Sequence, residues 1–146
     1  NMATQAALPQ KLIEIQSKIQ AESNEIKKIE VEYNKVVTGK RSLVEKKTEN
    51  EQVQTEFNLV DGDATIYKLV GPIMQKVDIA EAKTNVKTRL EYIQKEVDRM
   101  DHLEKEFLGK VEDKKKFIMK SQAEFKGEMM KMQQQQQANA QTAAPQ

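Results

Sequence analysis

DGDATIYKLVGPIMQKV, residues 61–77, contains Pro72, the only proline between Pro9 and Pro145. Gly71-Pro72 separates two short segments, Thr65–Val70 and Ile73–Val77, both rich in β-branched residues. This pattern predicts a tight strand–turn–strand unit over 65–77. Asp61-Gly62 also has the composition of a hairpin turn. Helical periodicity leads directly into it, however, so a helix stop with Gly62 near the C-cap is the better reading.

Working outward toward the N-terminus, no proline interrupts the chain back to Pro9. Pro9 is tolerable in a first helical turn, where its missing N–H has no helical partner anyway. A helix is predicted over 8–60. In the series Leu8, Leu12, Ile15, Ile19, Glu22, Ile26, Ile29, Tyr33 and Val36, steps of three and four alternate, and eight of nine residues are apolar. That is a coiled-coil seam. The continuation, Lys40, Leu43, Lys47, Asn50, Gln54 and Phe57, is far more polar, and residues 45–52 (EKKTENEQ) have no apolar side chain. Val53, Phe57 and Val60 resume the spacing one residue out of step, which predicts a local irregularity in the supercoil. Gly39, in the same region, costs about 1 kcal/mol against Ala in a helix interior.

Toward the C-terminus, Asp78-Ile79-Ala80-Glu81 has capping-box spacing, with Asp in place of Ser or Thr. A second helix is predicted over 79–132. Its seam runs through Val86, Leu90, Ile93, Val97, Met100, Glu104, Phe107, Val111, Lys114, Ile118, Ser121, Phe125, Glu128 and Met132, ten of fourteen apolar. Gly109 and Gly127 weaken this helix without breaking it. Residues 1–7 and the Gln/Ala-rich stretch 133–146 have nothing periodic to bury and are expected to be disordered. The expected fold is mainly α: one domain over 8–132, a long antiparallel two-helix coiled coil with a β-hairpin between the helices.

Composition agrees. Of 146 residues, 32% are charged and 5% aromatic, with no Trp and no Cys, a profile that suits a solvent-surrounded helix pair. The 24 basic and 23 acidic residues alternate along the chain, so no broad nucleic-acid footprint is expected. Without Cys there are no disulfides and no thiolate metal sites, which fits a reducing compartment. No apolar run reaches the roughly 20 residues of a membrane span. The first residues lack the parts of a signal peptide. A cytoplasmic protein is the expectation.

The hairpin carries the argument for a partner. A lone two-stranded hairpin is marginal in water and leaves its edge N–H and C=O groups unpaired. No other strand is predicted in the chain, and helices that leave the hairpin together as a stalk cover it poorly. The strands are therefore expected to pair with other chains through Ile66, Leu69, Val70, Ile73, Met74 and Val77.

No constellation predicts catalysis. His102 is the only histidine, and an exposed helix side chain is its default reading. The Glu, Asp and Lys residues fall at helix-surface spacing and read as solvated pairs. Gly71-Pro72 is a turn, not a phosphate cradle. The run KKK at 114–116 reads as a solvated helical face. No enzyme activity, cofactor or metal is expected.

Residues 65–93, TIYKLVGPIMQKVDIAEAKTNVKTRLEYI, resemble the hairpin and second helix of β-type prefoldin subunits. Residues 38–63, TGKRSLVEKKTENEQVQTEFNLVDGD, resemble the end of the first helix in that family. The single Gly-Pro hairpin suits a β-type subunit, since α-types carry two hairpins. The resemblance implies a hexamer of two α-type and four β-type subunits whose hairpins build a barrel platform. It also implies ATP-independent capture of unfolded polypeptides, such as actin and tubulin, at the coiled-coil ends and delivery to a group II chaperonin. In such an arrangement the far end of the coil has more apolar side chains than one seam needs. Ile13, Phe117, Met119, Met129 and Met130 are the expected client contacts, Met being adaptable on variable apolar surfaces. The plain alternative is ordinary packing in a splayed coil end. A coiled-coil tether or scaffold explains the helices but leaves the hairpin unexplained. A membrane-surface helix would need a segregated basic face.

Overall fold

The computed structural model describes residues 9–60 and 65–143. Among them, helix α1 spans Gln10–Leu59, strands β1 and β2 span Ile66–Val70 and Ile73–Val77, and helix α2 spans Ile79–Thr142. The predicted fold class therefore stands. The seam residue Leu8, the helix stop at Gly62 and the expected disorder of 1–7 lie outside the described residues.

The chain divides into two compact units: Asn1–Glu32 with Phe107–Gln146, and Tyr33–Glu106. In each, a stretch of α1 packs antiparallel on a stretch of α2, as the cross-helix pairs show. In the first unit Lys11 reaches Glu128 at 3.0 Å and Glu22 reaches Lys114 at 3.1 Å. In the second, Lys40 meets Asp101 and Glu104, and Arg89 donates to Asn50 at 3.2 Å. As the α1 number rises, the α2 number falls.

Burial follows the heptad without a break. From Leu12 to Phe57 every α1 residue at alternating steps of three and four is buried or half-buried, and α2 does the same from Val86 to Met132. Leu12, Ile15, Ile26, Val86, Ile93 and Val97 form the buried apolar core. The irregularity expected near residues 45–60 is absent. Lys40, Lys47, Asn50 and Gln54 hold the seam positions themselves, while Val53 is exposed. Their apolar stems lie along the interface, while the polar ends of Lys40, Lys47 and Asn50 find partners. Lys40 pairs with two carboxylates of α2. Asn50 donates to the Lys46 carbonyl at 2.7 Å and accepts from Arg89.

The helix ends follow local chemistry. The Pro9 carbonyl accepts from the N–H groups of Leu12 and Ile13, placing Pro9 just ahead of α1 and moving the start to Gln10. At the head of α2, the Asp78 carboxylate accepts from the N–H of Ala80 at 2.8 Å and of Glu81 at 3.4 Å. This is the expected N-cap. At its other end α2 runs past Met132 through the Gln-rich stretch to Thr142, correcting the expected disorder there. Gln and Ala are good helix formers, no Gly or Pro intervenes, and extending an existing helix costs no new nucleus. Residues 144–146 lie outside the described residues.

Candidate functional site

Two surfaces are candidates. The first is the hairpin. β1 and β2 pair antiparallel with Val70 opposite Ile73 and Ile66 opposite Val77. The two-residue turn has Gly71 at φ 59°. A positive φ at its first position, with proline's fixed negative φ at its second, makes it a type II′ turn. Glycine is required there by conformation alone, since no atom lies within 4 Å of an added Cβ.

Because opposed residues share a face, the register sorts the expected assembly residues onto two sides. Ile66, Val70, Ile73 and Val77 lie on one face, Leu69 and Met74 on the other. Leu69, Ile73 and Met74 are 70%, 67% and 67% exposed, and Val70 is exposed as well. Ile66 and Val77 differ. Both are half-buried, and with Val53, Phe57, Ala82 and Val86 they line a recess of about 420 Å³ between the hairpin and the adjoining helix ends. The expectation that the helices leave the hairpin uncovered thus needs correcting for its open end. There the last turns of α1 and the first turns of α2 line the recess together with the strand ends. Among the described residues the two strands form the whole sheet, so both outer edges lack a strand partner.

The second surface lies in the unit that holds the outer ends of both helices. Ile13, Phe117, Met119 and Met130 are exposed, whereas Met129 is half-buried and closer to the seam. Phe117 borders a recess of about 210 Å³ with Ile15, Lys18, Lys120, Ser121 and Glu124. Ser121, a small side chain at a buried seam position, lines this recess together with Ile15. Phe117 and Met119, two residues apart on one helix, point to different sides of it. Leu108, also exposed, escaped the sequence reading. It sits between the seam residue Phe107 and Gly109, and its signal outside the seam is a spacing of eleven residues from Met119.

Charge in this unit is held in cross-helix pairs. Hydrogen bonding to Glu128, with its nearby charge, raises the Lys11 ammonium above its ordinary pKa. The same hydrogen bond holds the Glu128 carboxyl below the usual carboxylate range. In the other unit, Asp101 and then Glu104 raise Lys40 in the same way. His102 is exposed. Among the described residues no group of three or more His, Asp or Glu side chains converges on a metal-sized site, and no helix is long and apolar enough to cross a membrane.

The chain matches known proteins along most of its length. The prefoldin subunit family profile matches residues 20–136. Prefoldin subunit 6 of Arabidopsis thaliana is 35% identical over 109 residues, covering 75% of this chain and 84% of that protein. Prefoldin subunit 6 of Homo sapiens is 31% identical over 111 residues, covering 76% and 86%. In fold, the chain is similar to the crystal structure of the prefoldin beta subunit from Thermococcus strain KS-1. The TM-score is 0.66 at 20% identity, over 79% of this chain and 95% of that one.

Proposed function

The chain belongs to the prefoldin subunit family, and we propose that it acts as a β-type subunit of a hexameric, ATP-independent holdase in the cytoplasm. One observation carries this reading: a two-stranded hairpin with exposed apolar side chains on both faces and, among the described residues, no strand partner at either edge. Burying Leu69, Val70, Ile73 and Met74 between subunits is worth about 1.5–3 kcal/mol each before association costs. Two α-type and three other β-type subunits complete the sheet. The exposed apolar residues of the helix ends, Ile13, Phe117, Met119 and Met130 with Met129 behind them, then hold unfolded polypeptides such as actin and tubulin. The complex passes them to a group II chaperonin. Weak, adaptable apolar contacts suit such a task, since the client has no fixed shape.

The test is aggregation of chemically denatured actin diluted into buffer without nucleotide. The chain assembled with its sister subunits is expected to keep actin soluble at near-stoichiometric ratios. Replacing Phe117, Met119 and Met130 together by Ser is expected to weaken that protection while leaving assembly intact. Unchanged protection by the triple variant would remove these residues from the site.

A further inference from the structure

Beyond the seam, α2 carries a second periodic pattern. Leu108, Met119 and Met130 recur every eleven residues. Eleven residues are close to three helical turns, so the three side chains fall on one line along the helix. All three are exposed, at 54%, 70% and 53%, so the line faces away from α1. Lys115 lies seven residues after Leu108, and Lys126 seven after Met119, close to the same line and exposed.

The charges on this stretch are unbalanced. Residues 107–131 contain seven lysines against four acidic residues. Several of the seven are engaged: Lys114 with Glu22, Lys116 with Glu112 at 3.4 Å, and Lys131 with Glu128 at 3.6 Å. Glu112, the acidic residue nearest the line, is thus paired. Among the described residues neither Lys115 nor Lys126 has an acidic partner. The line therefore alternates apolar side chains with uncompensated positive charge.

From this alternation we infer that the Leu108–Met130 face of α2 selects client segments in which apolar residues are interspersed with Asp or Glu. This inference rests on the client-capturing reading and specifies its substrate class. Apolar contact at Leu108, Met119 and Met130 is indifferent to sequence. Lys115 and Lys126 add attraction for carboxylates and repel cationic segments, which is how charge supplies specificity at an apolar surface. Exposed charges are screened within about 10 Å at 0.1 M salt, so the preference weakens as salt rises.

The test uses the full chain assembled with its sister subunits and two labelled, unstructured peptides. One alternates Leu with Glu and the other Leu with Lys, and binding is followed by fluorescence anisotropy at low salt. The wild type is expected to bind the Glu peptide about tenfold more tightly, a size suited to two exposed charge contacts. The Lys115→Glu/Lys126→Glu double variant is expected to reverse that order. Glu and Lys have similar helix propensity, so the variant folds, as circular dichroism will verify. Equal binding of both peptides by the wild type, or an order that the double variant leaves unchanged, overturns the charge selection and leaves the holdase reading standing. Binding of neither peptide overturns both.

Discussion

The α1 seam has two chemically different halves. In one unit it is apolar except at Glu22, through Leu12, Ile15, Ile19, Ile26 and Ile29. In the other it passes through Lys40, Lys47, Asn50 and Gln54, yet burial keeps the same three-and-four rhythm. An apolar partner helix thus holds a polar strip in register. Val86, Ile93 and Val97 of α2 are buried in this same unit at 6%, 4% and 7% exposure. One side of the seam supplies the hydrophobic surface while the other supplies stems and hydrogen bonds. Polar seam positions cost stability but disfavour alternative registers.

Substitutions tell the two halves apart, and the largest effect is expected on the apolar side of the mixed half. Ile93→Ala should destabilise by about 2–5 kcal/mol, read as a lower urea midpoint, because a buried seam residue leaves a cavity. A loss near zero would mean that α2 does not carry this half. Next comes Gln54→Leu, expected to raise stability by about 1 kcal/mol by placing an apolar side chain at a half-buried seam position. Were the seam shifted to Val53 instead, the same change would put Leu on the surface and do nothing.

Smaller still is the coupling between Glu22 and Lys114, a half-exposed polar pair within the otherwise apolar half. A double-mutant cycle to Ala should give about 0.5–1 kcal/mol, decreasing with salt. The smallest effect is the pH response of Lys11 and Glu128. Glu128 is held below its ordinary pKa, so its contribution is present above the usual carboxylate range and is lost as pH falls through the depressed value. Lys11 is raised, so its share persists until pH climbs through the raised value. Melting of Glu128→Gln should lose this acid-side dependence relative to wild type.

Much of the fold was legible because its signals are local. Gly71-Pro72 marks the turn through backbone conformation, Asp78 marks a helix start through one carboxylate, and the α2 seam is apolar at ten of its fourteen positions. What escaped depends on partners. Lys40, Lys47 and Gln54 read as a broken seam because hydrophobicity was the signal; the partial burial of their stems is visible only in the packed helix pair, where Lys40 also meets two carboxylates of α2. The Gln-rich stretch after Met132 read as disordered because it buries little, although its residues readily continue a helix that already exists. At the candidate sites, exposure of Leu69, Ile73 and Met74 followed from the argument about lone hairpins, but the partial cover over Ile66 and Val77 did not. Leu108 was missed because an eleven-residue repeat is invisible to a search for heptads.

Native mass spectrometry of the chain co-expressed with α-type and β-type partners tests whether the strands are incomplete without sister chains. The account predicts a hexamer containing this chain. It also predicts that Leu69→Ser/Ile73→Ser drops out of the hexamer while its helices remain folded. A stable, folded monomer that ignores its partners, or a double variant that assembles as well as the wild type, would contradict it.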